Sequence, residues 1–170
     1  GLKVFPCRLV GSSLNPLIEL LGLHDLIAVG KKVQPSVVHA VSPKGVIYGG
    51  LAARLCGVRG VVLAISGMGY MFTGRSNSLT KRFMATVYSR SLRLIVDDNV
   101  RIIVQNAADA DAIENSIGAE NHQIELIGGS GVNISEFDKF RSLEKREIVL
   151  LPARLIRDKG ICEFVAAVKI

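Results

Sequence analysis

Apolar positions along this chain recur at two periods, roughly every second residue and every third to fourth, and the alternation of the two predicts a fold. Residues 3–6 read as a short strand. Ser12, Ser13 and Asn15 are helix-capping residue types, and Pro16 suits a first helical turn, so a helix is expected from there to about Lys32. Leu17, Leu20, Leu21 and Ile27, with Ala28, form a helical stripe along it that Gly22 and Gly30 weaken. A strand over 36–41 follows, then a helix that Pro43 opens and that runs through Leu55, with Gly57 as its C-terminal cap. GVVLAI at 60–65 is a continuous apolar run, the pattern of a strand buried on both faces of a parallel sheet. Helix 79–95, strand 101–105, helix 108–117 and strand 123–127 complete the series.

Strand and helix in strict alternation are the mark of βαβ units with right-handed crossovers. The expected architecture is α/β: a parallel sheet with helices on both faces over residues 1–137. The charged stretch SEFDKFRSLEKRE then contains an interdomain linker at 138–146. Residues 147–170 read as strand, turn and helix, the start of a second domain. Ile161, Phe164, Val165 and Val168 share one face of that helix and need a partner sheet.

A chain of 170 residues has room for one sizeable core. Gly1 leads straight into the first strand with neither Met nor a signal pattern, and the second domain has barely begun at Ile170, so the chain is expected to be a fragment. Hydrophobic residues make up 49%, which excludes disorder. Cys7, Cys56 and Cys162 are odd in number and lack a C-x-x-C spacing, so neither a disulfide framework nor a zinc site is expected, and a reducing cytosol is the simplest setting. The longest apolar stretch, 60–72, is too short to cross a bilayer.

Charge changes the picture once it is located. No Asp or Glu lies between Asp25 and Asp97, where ten Lys and Arg residues do; that segment is +10, and the net +6 leaves −4 for the remainder. Such a half-chain fits either an anionic partner or a solvated basic face. Lys81, Arg82, Arg90 and Arg93 fall on the helix expected at 79–95, with Phe83, Val87 and Leu94 forming much of its apolar side. That helix is either packed on the core with a solvated back or a basic amphipathic surface for an anionic membrane. Nucleic acid is not expected as a partner, since no aromatic-rich or arginine-clustered module occurs.

Candidate chemistry gathers where strands end. Arg154 and Lys159 lie in the turn after an apolar run that closes at Ala153, the place where open α/β sheets bind ligands, and two fixed cations there suit a diphosphate. Ser66, Gly67, Gly69, Tyr70, Phe72, Gly74 and Arg75 form the loop after the buried strand. Its glycines permit close backbone approach and its aromatics can stack on a sugar or an isoprenoid; the plainer alternative is a crossing loop with two aromatics in the core. His39, inside a strand, and Lys44, in the first turn of the next helix, are weaker cleft candidates, and a lone strand histidine also suits a hydrogen-bonded core position. Gly129, Ser130 and Gly131 offer either backbone amides for phosphate oxygens or a domain hinge. GMGYMFTG is not G-x-G-x-x-G, because Phe72 replaces the third glycine, and no P-loop motif occurs, so dinucleotide oxidoreductase and P-loop NTPase readings lose support. Asp97, Asp98, Asp109 and Asp111 sit at helix ends, where carboxylates cap or face water, and no metal ligand is nominated.

Five segments in order, VVHAVSPKGVIYGGLAARLCGV, GMGYMFTG, IIVQN, LIGGSGVN and LPARLIRDKG, together resemble glycosyltransferase family 4, built on the GT-B plan of two Rossmann-like domains. The Gly-x-Gly-Tyr-x-Phe-Thr loop is similar to that of its bacterial surface-polysaccharide branch. The resemblance implies an acceptor-side N-terminal domain joined to the first strand and helix of the donor-side domain. It implies retaining transfer of a sugar from a nucleotide-sugar, expected to be UDP-linked, to a lipid-linked glycan precursor. It further implies Arg154 and Lys159 on the donor diphosphate, no metal or other cofactor, and a cytoplasmic setting, peripheral on the inner membrane face. Relatives place His or Thr at Ser66, a second His at Val41, a Pro at Gly128 and an Asp at Asn133, so this chain departs from the pattern there. The family's Gly-rich loop and paired glutamates fall outside these residues, and the fragment alone is expected to be inactive, with no catalytic residue assigned. Two rivals stand beside this reading. A GT-B sugar-nucleotide epimerase would use cleft carboxylates, against which the acid-free stretch 28–96 counts, and a non-catalytic nucleotide- or sugar-binding module needs only the scaffold.

Overall fold

A computed structural model describes residues 1–11, 13, 15–66, 79–129, 131–137, 148–153, 155 and 159–168, with backbone only at 79–82. They fall into two compact units, Gly1–Ser130 and Gly131–Ile170. In the first, helix α1 (Pro16–Val33) starts at Asn15, whose Oδ1 accepts from the Leu17 amide at 3.0 Å, and ends where Gln34 turns left-handed at φ 49°. Then come β1 (Val37–Val41), α2 (Pro43–Leu55), β2 (Gly60–Ile65), α3 (Leu79–Ile95), β3 (Val100–Val104), α4 (Ala107–Ile117) and β4 (Ile124–Leu126). Gly57 and Gly118 follow α2 and α4 at φ 69°, a conformation that costs a side chain and not glycine.

The four strands are parallel and ordered β1-β2-β3-β4, with Leu63 paired to Ala40 on one side and Ile102 on the other. Each strand is added on the same side of the last, so right-handed crossovers carry α2, α3 and α4 to one face of the sheet. On that face Val61, Leu63, Ile65, Val100, Ile102 and Val104 pack with Val46 and Ala53 of α2, Tyr88, Leu92 and Ile95 of α3, and Ile113 of α4. Each wholly buried Leu or Ile contributes about 1.5–3 kcal/mol. Burial also pushes the Tyr88 phenol up to about 12. Gly50 makes the close passage of α2 possible: a Cβ there would stand 2.6 Å from Ile95 Cγ2.

The parallel α/β domain expected from the alternation is present, and most element ends fall within a residue or so of the expected ones. β2 differs in degree. Val61, Leu63 and Ile65 are buried and Val62 and Ala64 only partly so, because the three crossovers cover one face. Three other expectations are corrected. Residues 3–6 form no strand, since no described strand offers them a ladder; the segment is instead tied to α1 by side chains. Arg8 donates from Nη2 to Asp25 Oδ1 at 2.5 Å and from Nε to Oδ2 at 2.8 Å, and Lys32 Nζ lies 5.8 Å from the Phe5 ring centre. The α1 stripe of Leu17, Leu20 and Leu21 points to solvent, while Glu19 and Gly22 are buried. Gly22 is inward because Leu9 crosses there: a Cβ would stand 3.0 Å from the Leu9 backbone.

The second unit contains α5 (Ile134–Phe137) and α6 (Ile161–Ala167). The strand expected at 147–153 is the third correction. Residues 148–153 form none, and Ile148, Val149 and Leu150 are exposed. A strand is defined by its ladder, and the described residues of this unit supply no partner. On α6, Ile161 and Phe164 are half-buried and Val165 and Val168 exposed, so the predicted stripe is largely uncovered. The expected linker, 138–146, lies outside the described residues.

Candidate functional site

Parallel strands put all their carboxyl ends on one edge, and the register aligns Ile65 with Val104 and Val104 with Leu126. Ser42, Ser66, Gln105–Asn106 and the Ile127–Gly129 segment therefore follow the four strands along that edge. Ser42 caps α2, its Oγ accepting from the Gly45 amide at 3.3 Å. It does so at φ 71°, ψ 154°, a region that costs a non-glycine residue about 1–3 kcal/mol. Asn106 caps α4: Oδ1 accepts from the Asp109 amide at 2.8 Å and Nδ2 donates to Asp109 Oδ2 at 3.0 Å. Two helix N-termini thus face this edge, and their unsatisfied amides and dipoles favour anions. Asp109 is buried in the first turn of α4 as a partner of that cap. Ser42 and Asn106 were not singled out from the sequence; the Ser-Pro and Asn-x-x-Asp spacings were the available signals.

Ser66 is exposed immediately after β2. Gly67, Gly69, Tyr70, Phe72, Gly74 and Arg75 lie outside the described residues, as do Ser130 and Arg154. Gly129 and Gly131 are exposed, and a Cβ on either would meet nothing within 4 Å. Lys159 is exposed, one residue before Gly160, whose φ of 73° starts α6. His39 is exposed in mid-strand, paired with Val62 on the face away from the core, and not at the strand end.

Lys44 has a more specific place. Its Nζ donates to Val10 O at 2.8 Å, to Ser13 O, and to Glu19 Oε1 at 2.5 Å, pinning the segment before α1 to the first turn of α2. Glu19 is nine-tenths buried, and its Oε2 has no hydrogen-bond partner among the described residues. The Lys44 ammonium holds the Glu19 carboxyl below its ordinary pKa against the opposing effect of desolvation, with a smaller push from the Tyr48 hydroxyl. Burial, then Glu19, raises the Tyr48 phenol in return. The positive charge of Lys44 is therefore largely neutralised where it stands.

A cavity of about 510 Å³, lined by Lys31, Gln34, Ser36, Cys56 and Arg59 among others, opens at the opposite, amino edge of the sheet. It takes no part in the carboxyl-edge site. Among the described residues no helix is long and apolar enough to cross a membrane.

A parallel α/β domain with capped helix N-termini and glycine-bearing loops along its carboxyl edge defines a class of ligand-binding enzyme domain. Within that class the chain belongs to the glycosyl transferase 4-like family, whose sequence profile matches residues 2–106. It is also similar, at 25% identity over 179 aligned positions, to the N,N'-diacetylbacillosaminyl-diphospho-undecaprenol alpha-1,3-N-acetylgalactosaminyltransferase of Campylobacter jejuni subsp. jejuni. The similarity covers 96% of this chain and 46% of the relative, so the chain spans about half the length of the curated relative it matches.

Proposed function

We propose that the protein transfers an N-acetylhexosamine or hexose from a nucleotide-sugar, UDP-linked, to a lipid-diphosphate-linked glycan, with retention at the anomeric carbon. The carboxyl-edge domain is the acceptor side, and residues 147–170 begin the donor side. What carries the reading is the similarity, over nearly the whole chain, to an enzyme named for adding N-acetylgalactosamine to an undecaprenol-linked sugar. The reaction would take place at the cytoplasmic face of a membrane, with the protein in peripheral contact.

In this reading Arg154 and Lys159 grip the donor diphosphate. Breaking the sugar–phosphate bond leaves negative charge on the departing nucleotide, and preorganised cations stabilise that charge as it develops. Arginine can take two oxygens at once and lysine supplies a point charge. Ser66 and the loop from Gly67 to Arg75 border the sugar or the isoprenoid, and the amides around Gly129–Gly131 are available to acceptor phosphate. No metal or cofactor is invoked.

Incubating the full protein with a panel of nucleotide-sugars and a polyprenyl-diphosphate glycan, and reading the anomeric configuration of the product, tests the proposal. Arg154→Ala and Lys159→Ala should each weaken UDP binding about tenfold or more, the loss expected for one charge-assisted contact. No transfer to any acceptor, together with unchanged UDP binding in both variants, would end the transferase reading.

A further inference from the structure

The cavity at the amino edge opens between two elements that meet behind it. Its walls are the end of α1, with Lys31 and Gln34, and the loop from α2 to β2, with Cys56 and Arg59. The walls touch at Gly30, where a Cβ would stand 2.8 Å from Cys56 Sγ, and the thiol donates to Ile27 O at 3.6 Å. A third side is closed by the Gly60 amide, which donates to Ser36 O at 3.3 Å. The volume of about 510 Å³ is that of a small-molecule site and far more than one ordered water fills.

Charge in the cavity is unbalanced. Among the described residues the side chains of Lys31 and Arg59 have neither an ion pair nor a hydrogen bond, whereas Arg8 meets Asp25, Lys44 meets Glu19 and Arg54 approaches Asp97. No described lining residue is acidic, and no Asp or Glu lies between Asp25 and Asp97. The carboxyl ends of α1 and α2 also come here, each equivalent to about half a negative charge, so the two cations outweigh them about two to one. Loop amides weaken the opposing field further. Those of Gln34, Cys56, Gly57 and Val58 donate to Gly30 O, Ala52 O, Arg54 O and Ala53 O at 2.8, 2.9, 3.1 and 3.0 Å.

We propose that this cavity binds a small phosphomonoester, with Lys31 and Arg59 sharing the phosphate and the organic part lying against Pro35 and Val58. A phosphomonoester brings a charge of about −1.5 to −2 and three terminal oxygens, enough for the arginine fork and the lysine point charge together. A carboxylate has two oxygens, which one guanidinium already uses. A divalent cation fits worse, because it needs the carboxylate ligands that these walls lack. The proposal does not rest on sugar transfer; its basis is a pair of unpaired cations in a cavity across the sheet from Ser42, Ser66 and Asn106.

Calorimetry on the full protein with glucose 6-phosphate, glucuronate and glucose compares one ring bearing a phosphate, a carboxylate or neither. Glucose 6-phosphate should bind most tightly and glucose not measurably. Lys31→Ala and Arg59→Ala should each weaken binding about tenfold or more, and Arg59→Lys should recover part of the loss. Both positions are exposed, so the variants should fold, which circular dichroism checks. Cys56 gives a readout inside the cavity that needs no variant. Saturating glucose 6-phosphate should slow its alkylation by the neutral reagent iodoacetamide severalfold, measured peptide by peptide, and leave the rates at Cys7 and Cys162 unchanged. Binding that both alanine variants leave intact, or that does not protect Cys56, overturns the proposal. So does absence of binding, or equal affinity for glucuronate or glucose.

Discussion

Removing the Lys44 ammonium would deprive Val10 O, Ser13 O and Glu19 of a shared donor and leave a mostly buried carboxylate without its counter-charge. Breaking a buried pair from one side is costly because the remaining charge stays desolvated. Lys44→Met should therefore lower the melting temperature by several degrees, and adding Glu19→Gln should recover part of the loss; a single variant as stable as the parent contradicts this. A second residue-scale effect concerns pH. Arg8, through its side-chain bonds above all and its backbone amide next, holds the Asp25 carboxyl well below the ordinary carboxylate range. The folded pKa lies under the unfolded one, so the contribution of this pair is complete above about pH 4 and declines as pH falls below it. Protection of the Arg8 amide, taken relative to its intrinsic exchange rate, should fall on acidification below about pH 4, and Arg8→Ala should weaken protection of that residue's amide already at neutral pH. Neither pairing was legible in the sequence. Lys44 meets partners 25 to 34 positions away and Arg8 one 17 positions away, distances at which spacing carries no signal.

Elements were far more legible than the faces they turn inward. Proline at helix starts, glycine beyond helix ends and the GVVLAI run mark boundaries through local chemistry, and α2, β2 and α3 have the ends their sequences predict. Direction is a tertiary property. On α3 both Phe83/Val87/Leu94 and Tyr88/Leu92/Ile95 repeat at helical spacing, and only the sheet decides which set is buried. The same ambiguity explains α1, where an apolar triplet is exposed and a charged residue is inside because Lys44 meets it there. Strands at 3–6 and 147–153 failed for a related reason: apolar alternation describes a surface ready to pair, and no described partner meets either. Packing between elements yields its own prediction at Gly50. Alanine there forces α2 away from Ile95, which is 2% exposed and has little room to yield. Gly50→Ala should cost about 1–3 kcal/mol despite improving helix propensity. Chemical denaturation measures it, and an alanine variant more stable than the parent would show that α2 can shift freely.

For the molecule as a whole, the resemblance of five ordered segments pointed to the family, and the match of residues 2–106 bears it out. Individual cleft residues were less legible. Glycines and aromatics announce a loop, whereas the two capped helix N-termini along the carboxyl edge emerge only when Ser42 and Asn106 are seen following neighbouring parallel strands. Charge was legible as a quantity and not as a place. The acid-free stretch is plain in the sequence, yet Lys44 is neutralised inside it, Arg54 approaches Asp97 at 3.8 Å, and Arg93 is turned to a carbonyl of α4. The sequential strand order has a last consequence, for the birth of the protein. Val37 pairs with Gly60, Val61 with Val100 and Ile102 with Ile124, so each described strand after β1 finds a neighbour in the strand made just before it. At about 5–20 residues per second, the ribosome delivers each new strand to an edge already waiting. The described sheet can grow as the chain is translated, one crossover at a time, with none of β2, β3 and β4 waiting for a first partner made later.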